Sequence, residues 1–262
     1  MTYGVLGRRK SDHNQLRLQP QLSTYFDYKA MPAPLLARPW NLVGGIVGGS
    51  PISVSMFDNN AIGDCTCAAI AHQDQIAAAQ LGTTSPITRE DVIALYRGSG
   101  YDPADPSSDQ GWSNLEAARA AKKAGWIEGF TSFDPGNQWL MKIVVNEFGG
   151  AYCGIDLPNS AKAQMGKVWD VAPPNKYDSS YDRNSWGGHA ATVVAFDHDG
   201  VTLATWGKFQ LVTWSFVYTY FDEGMALLNK RWSSSPLSPS GLRLDELRAD
   251  IARLNTVPHL FA

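Results

Sequence analysis

Cysteine is scarce in this chain: three residues in 262, at positions 65, 67 and 153. That number and spacing exclude a disulfide framework, and Cys65 and Cys67, two apart, are poorly placed to bridge each other or to supply a zinc site. Charge of one sign is also lacking, with 22 Lys+Arg against 25 Asp+Glu and a formal net charge of −3. So even a balance offers no electrostatic footprint for nucleic acid. No apolar run approaches the ~18–20 residues of a membrane helix; the longest stretches are Leu42–Gly49 and Ala190–Phe196. Arg8-Arg9-Lys10 is followed by Ser11-Asp12-His13-Asn14-Gln15, where a signal peptide would carry its apolar core. The expectation from these absences is a cytoplasmic protein with reduced thiols, no membrane partner and no nucleic-acid partner. Repeats and low-complexity segments are absent as well. What the chain does have is aromatic residues, at 11%, and hydrophobic residues, at 44%, which exclude a disordered chain.

Residues 1–50 read as an irregular extended arm, punctuated by Pro20, Pro32, Pro34, Pro39 and Gly44-Gly45. Beyond them the pattern predicts helices over Thr66–Gln80, Val92–Tyr96 (opened by Thr88-Arg89-Glu90-Asp91), Asn114–Ala124 and Trp139–Phe148. Strands are predicted at Ala151–Leu157, His189–Phe196, Val201–Trp206 and Gln210–Phe216, with Asp197–Gly200 as a turn. A narrow apolar stripe, Leu244, Leu247, Ile251 and Leu254, predicts a helix in the tail. Helices first and strands second make an α+β chain with two lobes.

Two segments carry chemistry. In Asp58-Asn59-Asn60-Ala61-Ile62-Gly63-Asp64-Cys65-Thr66, a glycine turn delivers Cys65 to the first turn of a helix, where free N–H groups and the dipole favour a thiolate. Asn59, six residues upstream, is a candidate oxyanion donor beside the Cys65 N–H. In Gly187-Gly188-His189-Ala190, a histidine opens an apolar strand with room beside its ring. His72 is seven residues past Cys65, about 10.5 Å along the helix, too far to be its base. Cys67 and Cys153 read as core, and His13, His198 and His259 as surface residues. The Asp102–Asp109 run lacks the glycine and glutamate of a calcium loop, so no metal and no cofactor is expected.

The order of these motifs resembles that of the papain-like cysteine peptidases. Asp109-Gln110-Gly111 is similar to the family's mid-chain glycine signature, and Met141–Leu157 to its helix leading into a strand. The resemblance covers about residues 57–225. The whole chain also resembles members of the superfamily from phages and prophages, sharing the arm, Gly-Asp-Cys and Thr-Trp-Gly. What this implies is a papain-like two-lobed fold, with a helical lobe at about 51–135, an antiparallel β lobe at about 136–225, an arm over 1–50, and a tail over 226–262. It further implies a nucleophile, Cys65, a base, His189, and a peptide or protein substrate, including peptidoglycan peptide. Three departures stand out. Asn59 replaces the family's oxyanion glutamine, one methylene shorter. Ala204-Thr205-Trp206-Gly207 stands where the family has Asn-Ser-Trp-Gly, whose asparagine orients the histidine, leaving Thr205 as the nearest polar substitute. Asp64 places a carboxylate next to the nucleophile, disfavouring its thiolate unless it caps the helix and points away.

The expectation is a thiol hydrolase; the alternative is a catalytically degenerate papain-fold protein serving as a phage structural or interaction component. The arm is expected to wrap the outer surface, anchored by Tyr25, Phe26 and Trp40, leaving Cys65 accessible.

Overall fold

The computed structural model describes residues 6–19, 21–22, 46–47, 50–233 and 249. In chain order the strands are β1 (Arg8–Arg9), β2 (Ile46–Val47), β3 (Ser50–Pro51), β4 (Trp112–Ser113), β5 (Ile127–Phe133), β6 (Ala151–Leu157), β7 (Gly187–Phe196), β8 (Gly200–Thr205), β9 (Lys208–Thr213) and β10 (Phe221–Asn229). Six of them form an antiparallel sheet in the order β5-β10-β6-β7-β8-β9. The sheet therefore draws strands from both sides of residues 136–225. β5 and β10 fall where the sequence analysis predicts no strand, yet they pair along their lengths because β10 is sandwiched between two neighbours.

Helix Cys65–Gln80 is the pivot of the molecule. Its small, Ala-rich residues are buried on nearly every side, so it can lie against the sheet and against helices Arg89–Tyr96 and Asn114–Lys123 at once. Side-chain bonds tie the helix to the sheet: Gln73 Nε2 donates to the carbonyls of Phe148 and Gly150 at 3.0 and 3.2 Å, and Thr192 Oγ1 of β7 donates to Ala69 O at 2.7 Å. Asp74 is held by Arg231 Nε at 2.7 Å. Thr88 and Asp91 form a reciprocal capping box, and Ser113 caps Asn114–Lys123 with two lysines in the last turn.

The other face of the sheet is covered by helices Gln138–Phe148 and Trp214–Tyr220. The second of these differs from the expected strand to Phe216. Trp-Ser-Phe-Val-Tyr-Thr-Tyr favours β structure by composition, but the Thr213 hydroxyl accepts from Phe216 N at 3.1 Å as an N-cap, and burial of Trp214, Phe216, Val217 and Tyr220 decides the conformation. The predicted tail helix lies outside the described residues. Among the described residues no helix is long and apolar enough to cross a membrane.

Candidate active site

Cys65 is the first residue of helix Cys65–Gln80, and the turn before it is strained: Phe57 and Asp58 have φ of 53° and 65°. Tertiary contacts hold this turn. Asp109 accepts from Gly63 N at 2.9 Å and from the Tyr96 hydroxyl, which in turn accepts from Gly111 N at 3.0 Å. The Asp-Gln-Gly segment thus fixes the backbone two residues ahead of Cys65. Asp64 makes no side-chain cap to the helix; it is fully buried and accepts from Asn59 Nδ2 at 3.0 Å. Burial pushes its carboxyl well above the ordinary range, with the Asn59 bond acting the other way.

His189 sits near the start of β7. Its ring stacks on Trp206 with centroids 4.2 Å apart, and its Nε2 lies 2.7 Å from Thr205 Oγ1. Trp206 adopts φ 46°, an uncommon value for an aromatic residue, followed by Gly207 at 66°. Thr205 therefore occupies the position beside the imidazole that sequence reasoning had marked only as the nearest polar substitute. His189 Nδ1 is buried with no hydrogen-bond partner among the described residues. His72 is also buried, bonded through Nε2 to Ser55 O at 2.7 Å. Burial pushes His189 down to about 3, helped by His72 and Arg8, and His72 down to about 4.

β7 crosses the helix so that Cys65 and His189 belong to one region: the backbone of Ala190, the residue after His189, favours the Cys65 thiolate, as does that of Gly7. No hydrogen bond joins Cys65 to His189 among the described residues, and Asn59 spends its visible bond on Asp64. Cys67 and Cys153 are buried in separate apolar clusters, Cys67 in the helical lobe and Cys153 in the sheet.

Two expectations need correction. The helix start does not lower the Cys65 thiol here; burial pushes it up to about 11, with Asp64 adding to the rise. Nor does the arm leave Cys65 open. Residues 6–11 run through the cleft between the helical lobe and the sheet, and Cys65 is fully buried. Gly7 O accepts from Trp112 N at 2.7 Å, and β1 pairs in parallel with β4. Glycines make this approach possible. A Cβ on Gly7 would stand 1.8 Å from Gly63 O, one on Gly111 1.8 Å from Gly7 O, and one on Gly188 2.3 Å from Arg8 O. Tyr25, Phe26 and Trp40 lie outside the described residues.

Sequence reasoning also missed Arg8. Its guanidinium is buried among Glu223, Asp222 and Asp156, with Nη2 at 2.5 Å from Glu223 Oε1 and 2.8 Å from Asp222 Oδ1. Ser11 donates to Glu223 from both its N–H and its hydroxyl at 2.8 Å. Only Arg8-Arg9-Lys10 in one place and Asp222-Glu223 in another signalled this, and nothing in the sequence joins them.

No protein-family model matches the sequence, and no curated protein is similar to it. Solved structures are. Xylellain, a cysteine protease from Xylella fastidiosa, superposes with a TM-score of 0.55 at 12% identity, covering 87% of this chain and 97% of its own. The fold is papain-like. Procathepsin L2 from Tenebrio molitor larval midgut (TM-score 0.49, 9% identity, 87% and 78% covered) and the Carica candamarcensis cysteine protease CMS1MS2 (0.44, 11%, 69% and 99%) are also similar. In this papain-like fold the helical lobe bears Cys65 and the sheet lobe bears His189, with residues 6–11 between them.

Proposed function

We propose that the protein is a thiol hydrolase, a papain-like cysteine peptidase acting on a peptide or related amide bond. The observation that carries this reading is the anchoring of His189: its Nε2 is fixed by Thr205 and its ring by Trp206, at the strand end whose next residue reaches the Cys65 thiol. With Nε2–H directed at Thr205 Oγ1, Nδ1 keeps its lone pair and serves as base. The Cys65 thiol proton passes to Nδ1, sulfur bonds to the carbonyl carbon, and the carbonyl electron pair moves to oxygen. The Cys65 N–H and the second amide hydrogen of Asn59 stabilise that oxyanion. The imidazolium returns its proton to the departing amine, and water then hydrolyses the thioester. Residues 6–11 must leave the cleft first, which rehydrates the thiol and removes the main cause of its raised pKa.

Fluorogenic peptide hydrolysis with labelling by an epoxide or iodoacetamide probe tests the reading. Cys65→Ala and His189→Ala should abolish turnover, while Cys67→Ala and Cys153→Ala retain it. Unchanged turnover in Cys65→Ala ends the reading. The non-catalytic alternative, a phage structural or interaction component, draws support from the complete burial of Cys65; it predicts no turnover even after residues 6–11 are displaced.

A further inference from the structure

We infer that the recess holding Arg8 is a specificity site for a basic side chain of the substrate, arginine or lysine, and that Arg8 occupies it as an internal stand-in. This inference rests on the hydrolase reading of Cys65. The recess is built by the sheet: Asp156 comes from β6, and Asp222 and Glu223 from its neighbour β10. The arm contributes only the cation. Gly154, on β6, leaves the space, since a Cβ there would lie 2.5 Å from the Arg8 guanidinium.

Charge makes the occupant necessary. Three carboxylates converge, with Asp156 and Glu223 almost wholly buried; Asp156 Oδ1 faces Arg8 Nη1 at 3.7 Å and has no hydrogen-bond partner among the described residues. Facing them are Arg8, Lys10 (2.7 Å from Asp156 Oδ2) and Arg183 (3.2 Å from the same atom). Arg8 and Lys10 belong to the segment in the cleft; Arg183 does not. When the segment leaves, one guanidinium among the described residues, that of Arg183, remains for three carboxylates, and buried charges without partners are costly. Arg8 meets that need through Nη2, which reaches Glu223 and Asp222, while its Nε and Nη1 have no hydrogen-bond partner among the described residues, so the recess selects for cationic charge and admits lysine as well as arginine. Register sets the position. The Gly7 backbone lies at the Cys65 thiol and the next residue fills the recess, so the basic side chain belongs to a residue adjacent to the one at the reacting sulfur.

Two readouts test this in the full chain. Arg8→Ala should melt at a lower temperature, and millimolar n-propylguanidinium should recover part of the loss, whereas n-propylurea, its neutral analogue, should not. Adding Glu223→Gln should remove the response, and an equal response to both compounds overturns the inference. The second readout serves even where Arg8→Ala does not fold: kcat/KM of the wild-type chain over peptide amides carrying Arg, Lys, Gln or Leu at each of the two residues on either side of the scissile bond. Arg or Lys at one position should exceed Gln and Leu at least tenfold. Hydrolysis without that preference overturns the recess and leaves the hydrolase standing. A selective guanidinium response with no hydrolysis of any peptide, either by wild type or by Gly7→Ala, whose added methyl group displaces residues 6–11, upholds the recess as a basic side-chain site and overturns the hydrolase.

Discussion

His189 Nε2 stands 2.7 Å from Thr205 Oγ1, both groups buried, with the Trp206 indole stacked against the imidazole. A threonine hydroxyl thus takes the place beside the histidine where the resembling family keeps an asparagine amide. Thr205→Val preserves shape and removes the hydroxyl, leaving the ring free to change tautomer. A neutral hydrogen bond of about 1 kcal/mol, with the cost of an unpaired buried nitrogen added, corresponds to a loss of roughly ten- to a hundredfold in kcat. Thr205→Ser should keep most of the activity. Equal kcat in the valine and wild-type proteins would show that Trp206 alone orients the imidazole.

The covering of Cys65 by Gly7 makes a second prediction. Gly7→Ala brings a methyl group against Gly63 O, a contact of 1.8 Å that the backbone cannot accept, so residues 6–11 should leave the cleft. The thiol then falls from about 11 towards the ~8.5 of a free cysteine, raising the thiolate fraction near neutral pH by on the order of a hundredfold. Iodoacetamide labelling of Cys65 should accelerate to match, with Cys67 and Cys153 unchanged, and the melting temperature should fall. A labelling rate equal to that of wild type would mean that the segment is not what shields the thiol.

The contrast between these two features explains what the sequence disclosed. Helix Cys65–Gln80 and strand β7 are legible because their signals are local: an Ala-rich run, a glycine turn, and alternation after Gly-Gly-His. Thr205 was reachable by aligning on Trp206-Gly207. The cleft occupancy was not legible, because Gly7, Gly63 and Gly111 meet across long stretches of chain and carry no side chain to announce the contact. Glu223 in β10 and helix Trp214–Tyr220 stayed hidden for a related reason. The segment of β10 carries no strand signal of its own and the helix reads as a strand to Phe216, and only pairing and burial decide both.

Acidification supplies a third prediction. Burial keeps both imidazoles neutral in the folded state, with His72 at about 4 and His189 at about 3, while an unfolded histidine titrates near pH ~6.5. Their stabilisation is therefore complete above that value and is lost as pH falls towards the folded values. Asp64 opposes them. Its raised carboxyl stabilises the fold most below the unfolded value of about 3.9 and less as pH rises. Each group contributes at most about 1.4 kcal/mol per pH unit, so two histidines outweigh one aspartate between about pH 6.5 and 4. The melting temperature should decline across this window, more steeply in Asp64→Asn and less steeply in His72→Gln. A flat profile would contradict the burial of these imidazoles.

The last prediction concerns Asn59, a buried residue whose side-chain amide, among the described residues, bonds from Nδ2 to Asp64 Oδ1 at 3.0 Å. An amide nitrogen carries two hydrogens, so this bond leaves one donor free while fixing the plane of the group. Asp64 then orients Asn59 as Thr205 orients His189. If the free hydrogen meets the oxyanion, its benefit arises only in the transition state, and Asn59→Ala should cost about 10²–10³ in kcat with little change in KM. Asp64→Asn provides the control. It keeps an oxygen that can accept from Asn59, so kcat should fall far less than in Asn59→Ala. Steady-state kinetics of the three proteins on one peptide amide separates the roles. A large rise in KM at constant kcat in Asn59→Ala would remove the amide from the oxyanion site and leave it as a support for Asp64.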